Sequence, residues 1–292
     1  MKILILGGAG MLGHKLLQKL SPEADVFVTV RDDGRFLVEH GLASAQQIIP
    51  GLDITNDFNL RKTINDLRPD VVVNAVGVIK QLPTANDVVT TLLVNSIVPH
   101  KLRDLSNEFG FRHVQISTDC VFLGSKGNYS EHDPADALDL YGRSKSLGEV
   151  ADGNCVTVRS SMVGRELSTS HSLIEWFLSN RGKRIKGYAN AIYSGFPTIV
   201  FADIIRSLLF EHSQLRGLYH ISSDPIDKYS LLVLANQAYG ANVTIERNED
   251  FKLDRSLDSS KFRQLTGFQP EPWEKMVEQM TNDPTPYEEW RK

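Results

Sequence analysis

The start of the chain holds the feature that most restricts its fold. The apolar run from Lys2 to Leu6 predicts a buried parallel strand. A glycine-rich segment from Gly7 to Gly13 follows at once, and leucines at helical spacing continue as far as Leu20. A strand, a glycine turn and a helix in this order are typical of a dinucleotide-binding domain.

The glycines of this turn have a spacing that suits phosphate binding. Gly7, Gly10 and Gly13 follow G-x-x-G-x-x-G, whereas the common dinucleotide fingerprint is G-x-G-x-x-G. Both patterns allow a tight turn, close approach of the backbone to a pyrophosphate, and a helix N-terminus that faces the anion. A merely structural turn is the alternative. We expect the cofactor to contact Gly7, Gly10, Met11, Leu12 and Gly13.

The end of the second predicted strand bears on the choice between NADH and NADPH. The strand from Val26 to Val30 is followed by Arg31 and Asp32. An acidic residue here suits the ribose 2′-hydroxyl of NAD, and an arginine suits the 2′-phosphate of NADP. Since Arg31 comes first, we expect NADPH, with NADH possible. The alternative for Arg31 is a solvated loop charge.

Two further segments are predicted to line the cofactor. Asp53 and Ile54 stand where an aspartate can meet the adenine amino group. Ala75 and Gly77 follow the buried run from Val71 to Asn74, and small residues there let the backbone pass close to a ligand. Each segment is weak evidence alone, but they occur in the order that the fold requires.

A tyrosine and a lysine four residues apart carry the strongest chemical signal. Tyr141 and Lys145 project from one face of a predicted helix. An ammonium beside a phenol favours the phenolate, so we expect the pKa of Tyr141 to fall below its ordinary value of about 10. Upstream, Thr118 offers a hydroxyl for the substrate oxygen that receives the proton. Alone, the pair would be read as two surface residues; after the glycine turn, it predicts carbonyl or alcohol redox chemistry.

Strands and helices alternate to about residue 160, which predicts an α/β fold with a Rossmann-type doubly wound parallel sheet. We expect residues 1–160, with a returning segment near 198–222, to form this dinucleotide-binding domain. Residues 161–197 and 223–292 are expected to form a smaller, discontinuous C-terminal substrate-binding domain. Within the later half, the sequence predicts an aromatic, glycine-rich loop near 187–197, a helix over 203–210 and a short strand over 243–246.

Composition argues against several other classes of protein. The chain has 292 residues and a net charge of −4, without a basic stripe of the kind that binds nucleic acid. No apolar run approaches the roughly 18 residues that span a bilayer. Cys120 and Cys155 show neither a disulfide framework nor metal-ligand spacing, so no metal site is predicted. We expect a cytoplasmic enzyme without nucleic-acid or membrane partners, and a homodimer is a possible assembly.

These segments together resemble the extended short-chain dehydrogenase/reductases, and among them the dTDP-4-dehydrorhamnose reductase family. The similarity covers most of the chain. Residues 117–122, S-T-D-C-V-F, resemble the family's S-T-D-Y-V-F, and residues 128–134 resemble its acidic loop. Residues 141–149 resemble its catalytic helix, and residues 196–198 fit its C-terminal half.

The resemblance implies NAD(P)H-dependent reduction of the 4-keto group of a nucleotide-linked 6-deoxy sugar. Thr118, Tyr141 and Lys145 would form the catalytic triad. Tyr141 would protonate the keto oxygen, Thr118 would hydrogen-bond it, and Lys145 would also hold the nicotinamide ribose. Arg255 would contact the substrate's pyrophosphate, although a solvated loop arginine is the alternative. The full set of substrate-binding candidates is Lys80, Asp119, Tyr193 and Arg255.

Cys120 departs from the family pattern. In the related 4,6-dehydratases this position resembles T-D-E, with a proton-moving glutamate, so the cysteine argues against dehydration. In GDP-fucose synthases, which epimerise and then reduce, the run resembles S-T-C, and its cysteine is an acid/base. Those enzymes also use a histidine after a V/Y-G turn, where this chain has Glu166, with His171 five residues further on. A small apolar filler is the alternative role for Cys120.

A simple reductase is therefore the main interpretation, and three alternatives stay open. One is an epimerase–reductase like GDP-fucose synthase that uses Cys120 as its acid/base. Another is a sugar-nucleotide epimerase or lyase with a tightly bound cofactor. A third is a non-catalytic NADP-binding regulatory subunit, because the mammalian methionine adenosyltransferase partner resembles the same family.

Overall fold

A computed structural model describes residues 1–290, with the backbone alone for Pro83. Its strands are β1 Lys2–Leu6, β2 Asp25–Thr29, β3 Ile48–Ile49, β4 Val71–Asn74, β5 Arg112–Ile116, β6 Cys155–Arg159, β7 Met162–Val163, β8 Arg184–Tyr193, β9 Phe196–Pro197, β10 Gly217–His220, β11 Ile226–Asp227 and β12 Thr244–Asp254. Its α-helices are α1 Gly13–Leu20, α2 Arg35–Glu39, α3 Asp57–Leu67, α4 Val88–Leu92, α5 Val98–Phe109, α6 Leu140–Leu147, α7 Leu173–Leu178, α8 Thr198–Phe210, α9 Lys228–Tyr239, α10 Ser260–Thr266, α11 Trp273–Thr281 and α12 Tyr287–Trp290.

The chain divides into two compact units, each built from three stretches. Unit 1 is Met1–Thr118, Leu138–Val158 and Ala202–Leu218. Unit 2 is Asp119–Ala137, Arg159–Phe201 and Tyr219–Lys292. Residues 119–137 belong to unit 2, although the alternation of strands and helices assigned them to the first domain. They hold only a short 3₁₀ turn, Asp119–Val121, and so gave no pattern of their own.

A seven-stranded sheet forms the centre of unit 1, in the order β10-β6-β5-β4-β1-β2-β3. Each pair of neighbouring strands from β6 through β5, β4, β1 and β2 to β3 is parallel. Ile5 in β1 lies opposite Val28 in β2 and Val73 in β4. Because β1 and β4 are covered on both faces, they are apolar at nearly every position. The predicted Rossmann-type doubly wound sheet is therefore confirmed.

A five-residue π-helical segment, Leu93–Ile97, joins α4 to α5. Asn95 and Ser96 are buried there, while Leu93 and Ile97 remain exposed. A π-turn holds one residue more than an α-turn, so it rotates the side chains that follow. Residues 88–109 therefore form two α-helices with two buried polar residues in the π-helical segment between them.

Unit 2 contains a small three-stranded sheet, in the order β11-β8-β12. The loop predicted near 187–197 was wrong over residues 187–193, which belong to the ten-residue strand β8. Its inward positions alternate correctly, but Gly187, Ala189 and Ala191 are too small to give a strong strand signal. A Cβ on Gly187 would lie 2.9 Å from both Ile245 and Tyr229, which explains the small residue.

Two further predictions fell short at element ends. The helix α8 begins at Thr198, five residues before its predicted start at residue 203. The prediction began too late because Thr198, Ile199 and Val200 are β-branched and weaken the helical pattern of the sequence. The strand β12 continues to Asp254 rather than ending at residue 246, with a register shift between Asn248 and Lys252. Within residues 1–290, no helix combines the length and apolarity that a membrane crossing needs.

Candidate functional site

The glycine turn is held by close contacts that leave no room for a Cβ at Gly8 or Gly13. Gly7 has φ +89°, and the N–H of Gly10 donates to its carbonyl oxygen at 3.0 Å. A Cβ on Gly13 would lie 2.0 Å from that same oxygen, so α1 packs directly on the turn. Gly8, which the spacing did not single out, is as constrained, since its Cβ would lie 2.4 Å from Val28. Gly10 is the exposed glycine of the turn.

The loop residues after β2 and β3 present different groups to solvent. The Asp32 carboxylate accepts the N–H of Gly34 at 3.0 Å, so it is bound to its own loop. Asp53 accepts the N–H and the hydroxyl of Thr55 at 2.9 and 2.7 Å. These two bonds lower the pKa of Asp53, and the charge of Arg31 lowers it further. Arg31 is therefore close enough to Asp53 to act on it electrostatically, and its side chain is exposed.

The segment after β4 is fixed by a buried asparagine. Asn95 accepts the N–H of Val78 at 2.9 Å and donates to its carbonyl at 2.9 Å. A Cβ on Gly77 would lie 3.4 Å from the same side chain, in ordinary contact. Ala75 donates its N–H to Leu6 at the end of β1. Ile54 is buried in the hydrophobic core of unit 1.

The helix α6 carries Tyr141 and Lys145 in the predicted arrangement. Asp139 caps it by accepting the N–H of Gly142 at 2.9 Å. Lys145 is buried, and its Nζ donates to the carbonyl oxygen of Ile116 at 2.7 Å. Burial lowers the pKa of Lys145 to about 8, and the negative charge of Glu149 opposes that fall.

A second contact joins the segment just after α6 to the end of β5. The hydroxyl of Ser117 donates to the Glu149 carboxylate at 2.6 Å. Lys145 and Glu149 therefore bind adjacent residues, Ile116 and Ser117, immediately before Thr118. Thr118 is itself buried at the carboxyl end of this strand, where ligands bind in such sheets.

The π-helical segment supports the same helix from another side. Asn95 donates to the Ser144 hydroxyl at 3.0 Å, and the Ser96 hydroxyl donates to the Ser144 carbonyl at 2.8 Å. Sequence reasoning assigned no role to Asn95, Ser96, Ser144 or Glu149, although the last two lie in the stretch 141–149 that resembles the family's catalytic helix. The signal that could have found them is the occurrence of polar residues at inward positions of amphipathic helices.

Lys80 lies beside the same helix. Its ammonium forms an ion pair with Asp139 at 2.9 Å and lies 5.6 Å from the centre of the Tyr141 ring. The structure therefore brings Lys80, Tyr141 and Lys145 together in unit 1. Both partners of the ion pair are exposed, so the pair itself contributes little to stability.

In unit 2, the structure brings Cys120 and Arg255 together. Arg255 Nη1 donates to the Cys120 sulfur at 3.2 Å, and Nε donates to the carbonyl of Phe122 at 2.8 Å. Within residues 1–290 no carboxylate forms an ion pair with Arg255, so its charge is available for an anionic ligand. Asp119 is buried next to Cys120.

Tyr193 has an unusual environment at the end of β8. Its hydroxyl is buried and makes no hydrogen bond within the described part of the chain. Burial raises the pKa of Tyr193 well above its ordinary value, and the charge of Asp119 raises it further. Asp119 and Tyr193 are therefore neighbours in unit 2. Ser194, the next residue, accepts the N–H of Leu257 at 2.9 Å.

The Glu166 side chain is bound to the backbone just before α7. Its carboxylate accepts the backbone N–H groups of His171 and Ser172 at 2.7 and 3.0 Å. The neighbouring Arg165 forms a buried ion pair with Glu175 at 2.6 Å. Among the described residues, no group of three or more His, Cys, Asp and Glu side chains is arranged to hold a metal ion.

Comparison with known proteins places these residues in a family context. Residues 1–285 match the family model described as the RmlD substrate binding domain. A dTDP-4-dehydrorhamnose reductase from Aggregatibacter actinomycetemcomitans is 24% identical over 300 positions, which cover 94% of this chain and 97% of that protein. Another from Burkholderia thailandensis is 30% identical over 168 residues, covering 56% of this chain. That match spans 50% of the Burkholderia protein's length.

Solved structures share the fold. The crystal structure of dTDP-4-dehydrorhamnose reductase from Bacillus anthracis in complex with NADP superimposes with a TM-score of 0.79. It is 22% identical, and the match covers 96% of this chain and 98% of that chain. At this identity the likeness establishes the architecture alone.

Proposed function

The chain belongs to the RmlD substrate binding domain family, and we propose that it reduces the 4-keto group of a dTDP-linked 4-keto-6-deoxy sugar with NADPH. The observation that carries the proposal is the arrangement on α6, where Lys145 is buried four residues after Tyr141 and bonded to the end of β5. Two relatives described as dTDP-4-dehydrorhamnose reductases support the substrate class.

We assign the proton transfer to Tyr141. Its phenol would donate a proton to the keto oxygen, and the Thr118 hydroxyl would donate a hydrogen bond to the same oxygen. Lys145, largely protonated at neutral pH with a pKa of about 8, would stabilise the phenolate that remains. Bound NADPH supplies the hydride. One proton and one hydride thus convert the ketone to an alcohol.

The glycine turn fits a dinucleotide, because its backbone packs too closely for a Cβ at Gly8 or Gly13 and the exposed Gly10 stands before the N-terminus of α1. Gly7, Gly10, Met11, Leu12 and Gly13 would hold the pyrophosphate. Asp53 and Ile54 would contact the adenine, and Ala75 and Gly77 would let the backbone pass close to the cofactor.

NADPH is preferred to NADH because Arg31 is exposed, whereas the Asp32 carboxylate is bound to the Gly34 N–H. Arg31 would therefore meet the 2′-phosphate. An Arg31→Ala variant is expected to bind NADPH about tenfold more weakly, with NADH affinity unchanged, in fluorescence titrations. Equal loss for both cofactors would contradict this assignment.

The sugar nucleotide is proposed to contact Lys80, Asp119, Tyr193 and Arg255, with Cys120 beside Arg255. Arg255 would bind the diphosphate, since no carboxylate within residues 1–290 neutralises its charge. The unbonded Tyr193 hydroxyl would bind a polar group of the ligand. A simple reductase is preferred to an epimerase–reductase, because the Glu166 carboxylate already accepts two backbone N–H groups.

The test is NADPH oxidation with a dTDP-4-keto-6-deoxy sugar. A Tyr141→Phe variant removes the proton donor, so turnover is expected to fall at least ~10²-fold. NADPH titration of the same variant serves as the control, and its affinity should stay close to that of the unaltered protein. Near-normal turnover in Tyr141→Phe, or no turnover of any dTDP-4-keto sugar by the unaltered protein, would sink the proposal.

We also propose that the protein works in the cytoplasm as a homodimer. Val89, Leu93 and Ile97 are 67%, 38% and 45% exposed and recur every four residues across α4 and the π-helical segment. Asp87 lies two residues before this row and Arg103 six residues after it, so antiparallel pairing of two copies would bring opposite charges together. Analytical ultracentrifugation of the unaltered protein should show a dimer, and the Leu93→Asp variant should be a monomer. If the unaltered protein is itself a monomer, the proposal is wrong.

A further inference from the structure

Tyr129 has a hydroxyl group that gathers three consecutive backbone donors. The N–H groups of Gly124, Ser125 and Lys126 lie 3.1, 3.1 and 3.2 Å from Tyr129 Oη. The ring is buried and stacks on Phe122 with 4.2 Å between centroids. Residues 122–129, which we term the Tyr129 loop, are therefore folded around this one oxygen. Successive N–H groups that converge in this way fix a loop through its backbone.

The backbone of Tyr129 joins the loop to the end of β12 and the residues after it. Its N–H donates to the carbonyl of Ser256 at 2.9 Å, and its carbonyl accepts the N–H of Asp258 at 2.7 Å. Five residues earlier, in the turn bound by the hydroxyl, the carbonyl of Gly124 accepts the N–H of Asp254 at 2.8 Å. These bonds attach the Tyr129 loop to residues on both sides of Arg255.

The closeness of this contact is visible at Gly127. This glycine has φ +71°, and a Cβ there would lie 2.2 Å from an Asp254 carboxylate oxygen. A side chain at this position would separate the loop from Asp254. The loop and residues 254–258 therefore form a single packed structure within unit 2.

Arg255 depends on this structure for its own position. Its Nε donates to the Phe122 carbonyl at 2.8 Å, and its Nη1 donates to the Cys120 sulfur at 3.2 Å. Phe122 is the first residue of the Tyr129 loop. A displacement of the loop would therefore move the acceptor that orients the guanidinium, because the Tyr129 hydroxyl holds residues 124–126 of the same segment, only two to four residues after Phe122.

We propose that the Tyr129 hydroxyl is a positioning group that sets Arg255 for binding the diphosphate of the sugar nucleotide. The inference rests on the diphosphate role proposed above for Arg255. It adds that affinity for the substrate, but not the chemical step, depends on a tyrosine hydroxyl that need not touch any ligand. Bidentate recognition of phosphate by arginine is sensitive to the direction of the guanidinium, which makes such a support necessary.

Tyr129→Phe is the decisive variant, since it keeps the stacked ring and the backbone bonds while removing the oxygen. Three N–H groups then lose their acceptor, and the loop rearranges to find others. The KM for the dTDP-4-keto-6-deoxy sugar is expected to rise about tenfold, with kcat within about twofold and NADPH affinity unchanged. Tyr188→Phe removes an exposed hydroxyl from unit 2 and is the matched control, with unchanged KM.

A double-variant cycle separates positioning from general stability. Arg255→Ala is expected to raise KM about 50-fold, and Tyr129→Phe should add nothing in the Arg255→Ala background. Multiplied effects in the double variant, or a lowered melting temperature of Tyr129→Phe with unchanged KM, would overturn the inference. If Arg255→Ala itself leaves KM unchanged, the proposed diphosphate role fails, and the inference about Tyr129 fails with it.

Discussion

Lys145 is a buried cation whose charge depends on its neighbours. Its ammonium donates to the Ile116 carbonyl, and the Glu149 carboxylate raises a pKa that burial has lowered to about 8. Glu149 is fixed in turn by the Ser117 hydroxyl at 2.6 Å. The proposed chemistry needs the protonated lysine, so the alkaline limit of activity is set by the burial of Lys145 and by the charge of Glu149.

Glu149→Gln is expected to move that limit to lower pH. Without the carboxylate, the ammonium loses electrostatic stabilisation and the pKa of Lys145 falls further below its ordinary value of about 10.4. The alkaline limb of the kcat/KM profile should therefore shift down by about one pH unit. Ser117→Ala is the control, because it removes the hydrogen bond but keeps the charge, and its limb should stay in place. Identical limbs for Glu149→Gln and the unaltered enzyme would refute the electrostatic role.

At the scale of elements, two glycines of the turn are expected to serve different purposes: Gly13 allows α1 to pack on the turn, and Gly10 allows the cofactor to approach. Gly13→Ala puts a Cβ 2.0 Å from the Gly7 carbonyl oxygen, so α1 must move away from the turn. We expect a loss of about 2 kcal/mol or more in the free energy of unfolding, together with weaker NADPH binding.

Gly10→Ala provides the contrast. Its Cβ would lie 3.2 Å from the same oxygen, on the exposed side of the turn, so a small adjustment accommodates it. NADPH affinity should fall while the melting temperature stays nearly unchanged. The two variants are compared by thermal melts and by NADPH titration. Equal effects of both variants on both measurements would contradict this division of roles.

Elements with strong periodicity were predictable from sequence, and those with small or polar inward residues were not. The strand, turn and helix at the N-terminus, and the helix with Tyr141 and Lys145, follow from continuous local patterns. The strand β8 was missed because glycine and alanine face inward there. The π-helical segment and its bonds to Ser144 depend on partners about fifty residues away, which no local pattern reports.

At the scale of the molecule, two buried histidines make folding sensitive to acid. Burial lowers the pKa of His113 to about 3, and burial with the nearby charge of Arg159 lowers that of His220 to about 4. Each unfolded histidine titrates near 6.5, so the unfolded chain binds more protons below that pH. Stability is therefore complete above about pH 6.5 and is lost as the pH falls toward 4 and 3.

The expected slope is about 1 kcal/mol per pH unit for each histidine between pH 6 and 4.5. Urea unfolding at several pH values measures it. His113→Gln should reduce the slope by about half, whatever it does to stability at pH 7.5, because glutamine has no proton to gain. A slope that His113→Gln leaves unchanged would assign the acid sensitivity to other groups.

The division into two units, each of three stretches, means that the chain passes from one to the other five times. Neither unit is one continuous segment of the chain, so a recombination event that exchanges one continuous segment could not transfer either unit between relatives. During translation, unit 1 cannot be completed until Leu218 has left the ribosome, and unit 2 waits for the last helices of the chain. A nascent chain must therefore hold the apolar strands of unit 1 unfinished until Leu218 has been made, and a chain that stops before that residue would contain no finished unit.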